Sequence, residues 1–319
     1  MAHNIEMIDG KAQMAYAGEV PWHSLGTKVL GDLTPAQMME KAGLDWNVNK
    51  QPMFYRHEGD LHAVDGKEVL VRDTDGKVLD VVGKGWEPVQ NAEAFDFFND
   101  FVMNGEMSMH TAGSLQGGKL TWALAKVNDG FKVFGDDEVE SYLMFSNPHK
   151  FGASITVSFT PIRVVCNNTL NMALQGANGK GVRVSHRTKF DADQVKTLLG
   201  VATEQLQTYK ETAEFLGSKR FTDETMKEYF ARVFPNTNRQ AKDKDALSRT
   251  AKIAMDVVHT QPGAEYAEGS FWQLFNATTF MTDHVVGRDA DSRMASAWFG
   301  LNQTKKLKAL DTAIEMASA

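Results

Sequence analysis

Gly113-Ser114-Leu115-Gln116-Gly117-Gly118-Lys119 has the glycine and lysine spacing of a phosphate-cradling loop. The chemistry fails one residue later. Leu120 stands where a Ser or Thr would hold Mg²⁺, and Leu-Thr-Trp-Ala-Leu-Ala-Lys-Val reads as strand. A phosphate loop must instead open a helix whose N-terminal amides face the anion. The run is therefore expected to be a glycine-rich hairpin turn. Cys166, the single cysteine, could act as a nucleophile if the fold brought His149 or His186 beside it. A lone cysteine at a strand end is more often a small core residue. The other histidines are scattered, and no pair has metal-ligand spacing backed by a carboxylate or a second cysteine. His57 and His62 flank a turn, and Asp136-Asp137 and Asp243/Asp245 lie in polar turns where solvated charge is the expected state. No catalytic residue, metal or cofactor is assigned.

The charge pattern is more informative. From Ser141 to Phe190 there is not one Asp or Glu, while Lys150, Arg163, Lys180, Arg183, Arg187 and Lys189 all fall inside. The chain carries 41 acidic residues in 319 and a net charge of −7, so about six acids would be expected in such a window by chance. Clustered cations attract polyanions at range. Arg183, Ser185 and Arg187 share one face if the segment is a strand. Asn167, Asn168 and Asn171 could supply amide donors, His186 another polar contact, and Phe151 a stacking surface. Single-strand binders combine cationic grooves with aromatic platforms in this way. A buried strand would also exclude carboxylates, and Ala153 to Cys166 reads as one. The window is therefore either a surface groove or buried sheet.

Such residues need a scaffold. A length of 319 residues suggests two domains, with 42% apolar and 24% charged residues giving ordinary globular composition. No apolar run reaches the length of a membrane span. Residues 1–16, MAHNIEMIDGKAQMAY, show no basic segment followed by an apolar stretch, so no secretory signal is expected. With one cysteine, a reducing cytoplasm is the expected compartment.

The first half reads as mixed α and β. Thr34-Pro35-Ala36-Gln37 starts a helix, with Thr as cap, Pro in the first turn and Gln at the capping-box position, and Gly43 ends it. Extended segments are expected at Trp46–His57, Lys67–Arg72 and Lys77–Gly83, the last two joined by Asp73-Thr74-Asp75-Gly76. Asn91 then caps a helix carrying Phe95, Phe98 and Val102, with Gly105 as its stop. Further strands are expected at Leu120–Val127, Val139–Ser146, Ala153–Cys166 and Val182–Ser185, the third bending or lying at an edge at Pro161. From Asp191 the period becomes 3.6: Val195, Leu198, Leu199, Ala202, Leu206, Tyr209 and Ala213 form one stripe of a long helix ending near Gly217. Thr222 starts another helix, stopped by Pro235, and three or four more follow. The expected fold class is α+β, with an α+β domain over 1–190 and a helical domain over 191–319.

Several runs carry a family resemblance. Thr160-Pro161-Ile162-Arg163-Val164-Val165-Cys166-Asn167-Asn168-Thr169-Leu170, with His110-Thr111-Ala112-Gly113-Ser114-Leu115 before it, resembles a family of phage- and plasmid-borne proteins known as domain of unknown function 932. Pro21-Trp22-His23-Ser24-Leu25-Gly26 and Phe275-Asn276-Ala277-Thr278-Thr279 with Asp283-His284 are similar to it as well. The resemblance implies a phage, prophage or plasmid gene acting in the cytoplasm of a bacterial host cell, and supplies no chemistry. The order helix, three antiparallel strands, helix over 34–103 is similar in architecture to phage single-strand annealing proteins of the Erf and Red-beta class.

The expected function is thus a non-enzymatic, cofactor-free protein that binds single-stranded nucleic acid, DNA or RNA, and promotes annealing or recombination as a homo-oligomer. Lys150, Arg163, Lys180, Arg183, Arg187 and Lys189 would contact phosphates. Two alternatives stand beside it: an inhibitor that binds a host defence protein, and a nucleic-acid- or nucleotide-processing enzyme working through His149, Cys166 or His186.

Overall fold

The computed structural model describes residues 5–18, 21, 24–128, 131–134, 137–163, 168–169, 182–200, 202–236, 246–287, 293, 296–297 and 300–319. The chain is mixed α and β, strand-rich in its N-terminal half and helical toward its C-terminus. It divides into two compact units, one of Met1–Asn128, Tyr142–Phe159 and Lys180–Gly200, the other of Asp129–Ser141, Thr160–Gly179 and Val201–Ala319.

The first unit opens with short strands β1 (Met7–Ile8), β2 (Lys11–Ala12), β3 (Met14–Ala17) and β4 (Thr27–Val29). Helix α1 (Pro35–Lys41) begins at Thr34, whose hydroxyl accepts from the Gln37 amide while the Gln37 side chain accepts from the Thr34 amide. This reciprocal box satisfies two of the amides a helix start leaves free. A three-stranded antiparallel sheet follows in the order β5 (Val48–His57), β6 (Asp60–Arg72), β7 (Val78–Gly83). Trp46, Val48, Leu70, Leu79, Val82 and Trp86 form its buried cluster. Helix α2 (Asn91–Asp96) starts at Asn91, and its cap is Gln90, one residue earlier than expected. The expected single helix is two: α3 (Asn99–Met103) follows, and Gly105 closes it at φ 73°.

A larger sheet builds on β8 (Met107–Leu115), β9 (Leu120–Val127), β10 (Phe131–Val133), β11 (Asp137–Pro148), β12 (Ile155–Arg163), β13 (Asn168–Thr169) and β14 (Val182–Val184). The β8–β9 connection is the phosphate-loop-like run, and it is a hairpin turn. Leu115 pairs with Leu120, and Gln116, Gly117 and Gly118 all have positive φ, at 55°, 66° and 91°. Gly118 needs to be glycine twice over: a Cβ there would lie 3.1 Å from both Arg72 Nη1 and Leu79 Cδ2. Arg72 is buried and held by Glu6 at 3.0 Å and Asp75 at 2.6 Å, with Ser114 Oγ donating to Glu6 at 2.8 Å. The turn therefore packs on an ionic cluster in which Arg72 is already held by two carboxylates, and the chain continues as β9 in place of the helix a phosphate loop needs. Pro161 lies in β12 between the residues that pair with β14 (Ile155–Val157) and those that pair with β13 (Ile162 and Arg163). Helix α4 (Ala192–Gly200) ends the unit's last stretch.

The second unit holds α5 (Ala202–Ser218), α6 (Asp223–Val233), α7 (Arg249–Val257), α8 (Phe271–Phe280) and α9 (Leu301–Ser318). Thr222 caps α6 with a capping box through Thr225. Helix α8 is buried from Phe271 through Thr279, so its polar residues must bond internally. Several do so: Gln273 Nε2 donates to the Ala264 carbonyl, Asn276 Nδ2 to that of Trp272, and Thr278 Oγ1 to that of Leu274. Trp272 Nε1 and Asn276 Oδ1 are buried with no hydrogen-bond partner among the described residues. A π-helical turn, Met281–Val285, continues from α8. Asn302 of α9 donates to the Thr282 and Val286 carbonyls, and Lys306 meets Asp283 at 2.7 Å with both side chains buried. Helix α9 thus satisfies the backbone groups that the wide turn frees.

Candidate nucleic-acid interface

The cation-bearing segment of the first unit runs from Val182 to Phe190, and its order is set by what is anchored. Val182 and Val184 are half-buried on β14, which pairs with Val157 and Ile155 of β12. The strand stops at Val184, so alternation on a pleat cannot carry Arg187 to the Arg183 face as the sequence suggested. A turn takes over: the Ser185 hydroxyl accepts from the Arg187 amide at 3.2 Å, and the Ser185 carbonyl accepts from the Thr188 amide at 3.1 Å. His186 then points inward and stacks on Trp86, ring centroids 4.1 Å apart at 20°. Its carbonyl accepts from the Glu87 amide at 2.7 Å, and Nδ1 lies 3.0 Å from the Glu87 carbonyl. Phe190 packs on Phe145 and Phe97. The even-numbered anchors at 182, 184, 186 and 190 leave Arg183, Arg187 and Lys189 exposed between them. None of the three forms an ion pair among the described residues. The nearest following carboxylate, Asp191, caps α4 by accepting from the Gln194 amide at 3.0 Å.

A second loop is held by the same device. His149 is fully buried, its Nε2 3.1 Å from Asn91 Oδ1 and its ring 5.3 Å from that of Trp46. Burial pushes the His149 imidazole down to about 3, and the electrostatic effect of His186 adds to the fall. Burial also lowers His186, against which the Glu87 and Pro148 carbonyls favour the charged form. Both buried rings are therefore held in the neutral form, and each is followed by residues that reach the surface. After His149 come Lys150 and Phe151. Lys150 is half-buried and donates to Gln116 Oε1 at 2.9 Å; burial lowers its ammonium first, Lys119 further, and Asp80 opposes both. The Phe151 amide donates to Asp80 Oδ2 at 2.9 Å, and its ring is 64% exposed. An aromatic ring this open, held by a backbone bond at its root, has the form of a stacking platform.

The expected contact residues thus separate. Lys150, Phe151, Arg183, Arg187 and Lys189 are available to a ligand. His186 is not, because stacking on Trp86 leaves it only 2% exposed; its place is structural. Arg163 and Asn168 pair across β12 and β13 by their backbones and belong to the second unit. Lys180, Asn167, Asn171 and Cys166 lie outside the described residues. Sequence reasoning missed Trp86 and Asp80, which fix the two loops from 100 and 71 residues away; a one-dimensional pattern carries no sign of such partners. His149 and His186 face the core, so they offer no acid or base to a substrate. Among the described residues no group of three His, Cys, Asp or Glu side chains is gathered as a metal-ligand set. Among them, too, no helix is long and apolar enough to cross a membrane.

Residues 78–298 match the model of a protein family described as Domain of unknown function (DUF932). No curated protein and no solved structure matches the chain.

Proposed function

The chain belongs to the DUF932 family, and because that membership carries no chemistry we propose, from the anchored cations, that it binds single-stranded nucleic acid. The observation that carries the reading is the arrangement of Arg183, Arg187 and Lys189, exposed and without acidic partners among the described residues, on a segment pinned by His186 and Phe190. Phosphates would meet these guanidinium and ammonium groups, and a base would stack on Phe151. Arginine suits the role because its planar fork binds phosphate oxygens in pairs. Contacts of this kind position a strand without reading its sequence, which fits a strand-annealing or recombination role in a phage- or plasmid-borne gene.

The reaction needs no covalent step from this surface. Holding strands extended, with bases accessible, is sufficient for annealing. The experiment is fluorescence anisotropy of labelled single- and double-stranded oligonucleotides of mixed sequence. The reading expects micromolar or tighter single-strand binding, weaker duplex binding and no dependence on sequence. Absence of single-strand binding at low salt would end it and leave a host protein as the ligand of this face.

A further inference from the structure

The distal half of the β5–β6 hairpin is exposed on both faces. Phe54 pairs with Ala63, Tyr55 with His62, Arg56 with Leu61 and His57 with Asp60, and Glu58-Gly59 forms the two-residue turn at φ 50° and 100°. Direct cross-strand partners share a face. Tyr55, His57, Asp60 and His62 therefore lie on one side, and Phe54, Arg56, Leu61 and Ala63 on the other. Leu61 is 65% exposed, Phe54 54% and Tyr55 53%. A two-stranded ribbon with nothing packed on it is marginal in water, and apolar residues gathered on such a ribbon mark a contact surface.

Charge identifies what covers it. The tip bears Glu58 and Asp60; Glu58 has only His57 beside it, at 4.0 Å, and Asp60 has no ion pair among the described residues. Two carboxylates at the leading end disfavour a nucleic-acid ligand. The same chain carries the complement: Arg183, Arg187 and Lys189, likewise in no ion pair among the described residues, with exposed Phe151 in the loop that leads into β12, the strand that pairs with β14. The tip and the Tyr55 face of the arm carry Glu58 and Asp60, with Arg56 on the opposite face, while the 182–190 segment carries only cations.

We propose that the β5–β6 arm of one copy docks on the cation-bearing segment of a second copy, carboxylates to guanidinium groups, with the face that carries Tyr55 and Asp60 turned toward Phe151. The contact is heterologous, joining two different patches. It shares the cationic segment with the nucleic-acid reading without depending on it, and a bound strand and a docked arm compete for the same arginines.

The test is the molar mass of the full chain by light scattering over roughly a hundredfold range of concentration at low and high salt. The expected result is a mass that grows with concentration and falls with salt. Glu58→Lys with Asp60→Lys, and separately Arg183→Glu with Arg187→Glu, should each weaken self-association by about tenfold or more. An equimolar mixture of the two reversed proteins should associate again, because each supplies the patch the other lacks. A monomer at every concentration, or association that survives both reversals, would overturn the proposal. Oligonucleotide affinity of the Glu58→Lys/Asp60→Lys protein should be undiminished; a loss would place nucleic acid on the arm and refute arm-to-segment docking. Self-association in a protein that binds no oligonucleotide would uphold this contact while removing the nucleic-acid reading, so the two fail separately.

Discussion

The 182–190 segment and the β5–β6 arm both present side chains to solvent, and they do so by opposite means. In the segment, exposed cations alternate with anchors: two valines on β12, His186 against Trp86, Phe190 against Phe145. In the arm, neither face has an anchor beyond cross-strand neighbours such as the Tyr55–His62 stack at 5.3 Å. An anchored display loses little entropy when a ligand arrives and holds its charges at fixed spacing. A free ribbon leaves apolar area in water until something covers it. The first is suited to a regular polyanion and the second to another folded surface.

The difference can be broken from the anchored side most forcefully. Trp86→Ala removes the ring on which His186 stacks and should cost about 3–5 kcal/mol in chemical denaturation, the usual range for a buried aromatic. Oligonucleotide affinity should fall with it, since the turn bearing Arg187 loses its hold. Acid acts on the same anchors. His149 has a folded value lowered to about 3 from 6.5, so the unfolded chain binds the additional proton between those values. Stability is then fully present above about pH 6.5 and is lost as pH falls through that window. At pH 5 the loss from His149 should be about 2 kcal/mol, with His186 adding in the same direction. A denaturation midpoint unchanged between pH 7 and pH 5 would remove the buried-histidine account.

How far the sequence reached follows from which interactions are local. The α1 cap at Thr34, the Asp73–Gly76 turn and the strand Leu120–Val127 were legible, because caps, turn residues and alternation act over a few positions. The glycine-rich run reads as a hairpin turn because Leu120 replaces the Ser or Thr of a phosphate loop and the residues after it have the pattern of a strand, not a helix. Strand β8 and the short N-terminal strands were not anticipated, since their residues pair with partners far along the chain. The sequence pattern gives no strand over residues 58–66, yet they form the tip of the arm and the start of β6. The cations were found by composition. Which way each points was not, because His186 looks like any polar residue until Trp86 is placed beneath it.

Smaller effects sharpen the contrast. Phe151→Ala should weaken single-strand binding by about 1–3 kcal/mol, the range for one stacked base, while leaving the melting temperature unchanged because the ring is exposed. On the arm, Tyr55→Ser with Leu61→Ser should shift the stability of isolated copies by only about 0.5 kcal/mol. A large destabilisation there would mean that the arm is packed within its own chain.

The most direct test of the anchored-cation surface is the salt dependence of single-strand binding in the wild-type protein and in Arg183→Ala/Arg187→Ala. Each phosphate contact on a single strand contributes a slope of about −0.7 to log K against log salt. The account predicts a linear wild-type plot and a slope shallower by about 1.4 in the double variant, with affinity reduced similarly for all sequences. Equal slopes in the two proteins would contradict it, and would show that these arginines do not meet phosphate.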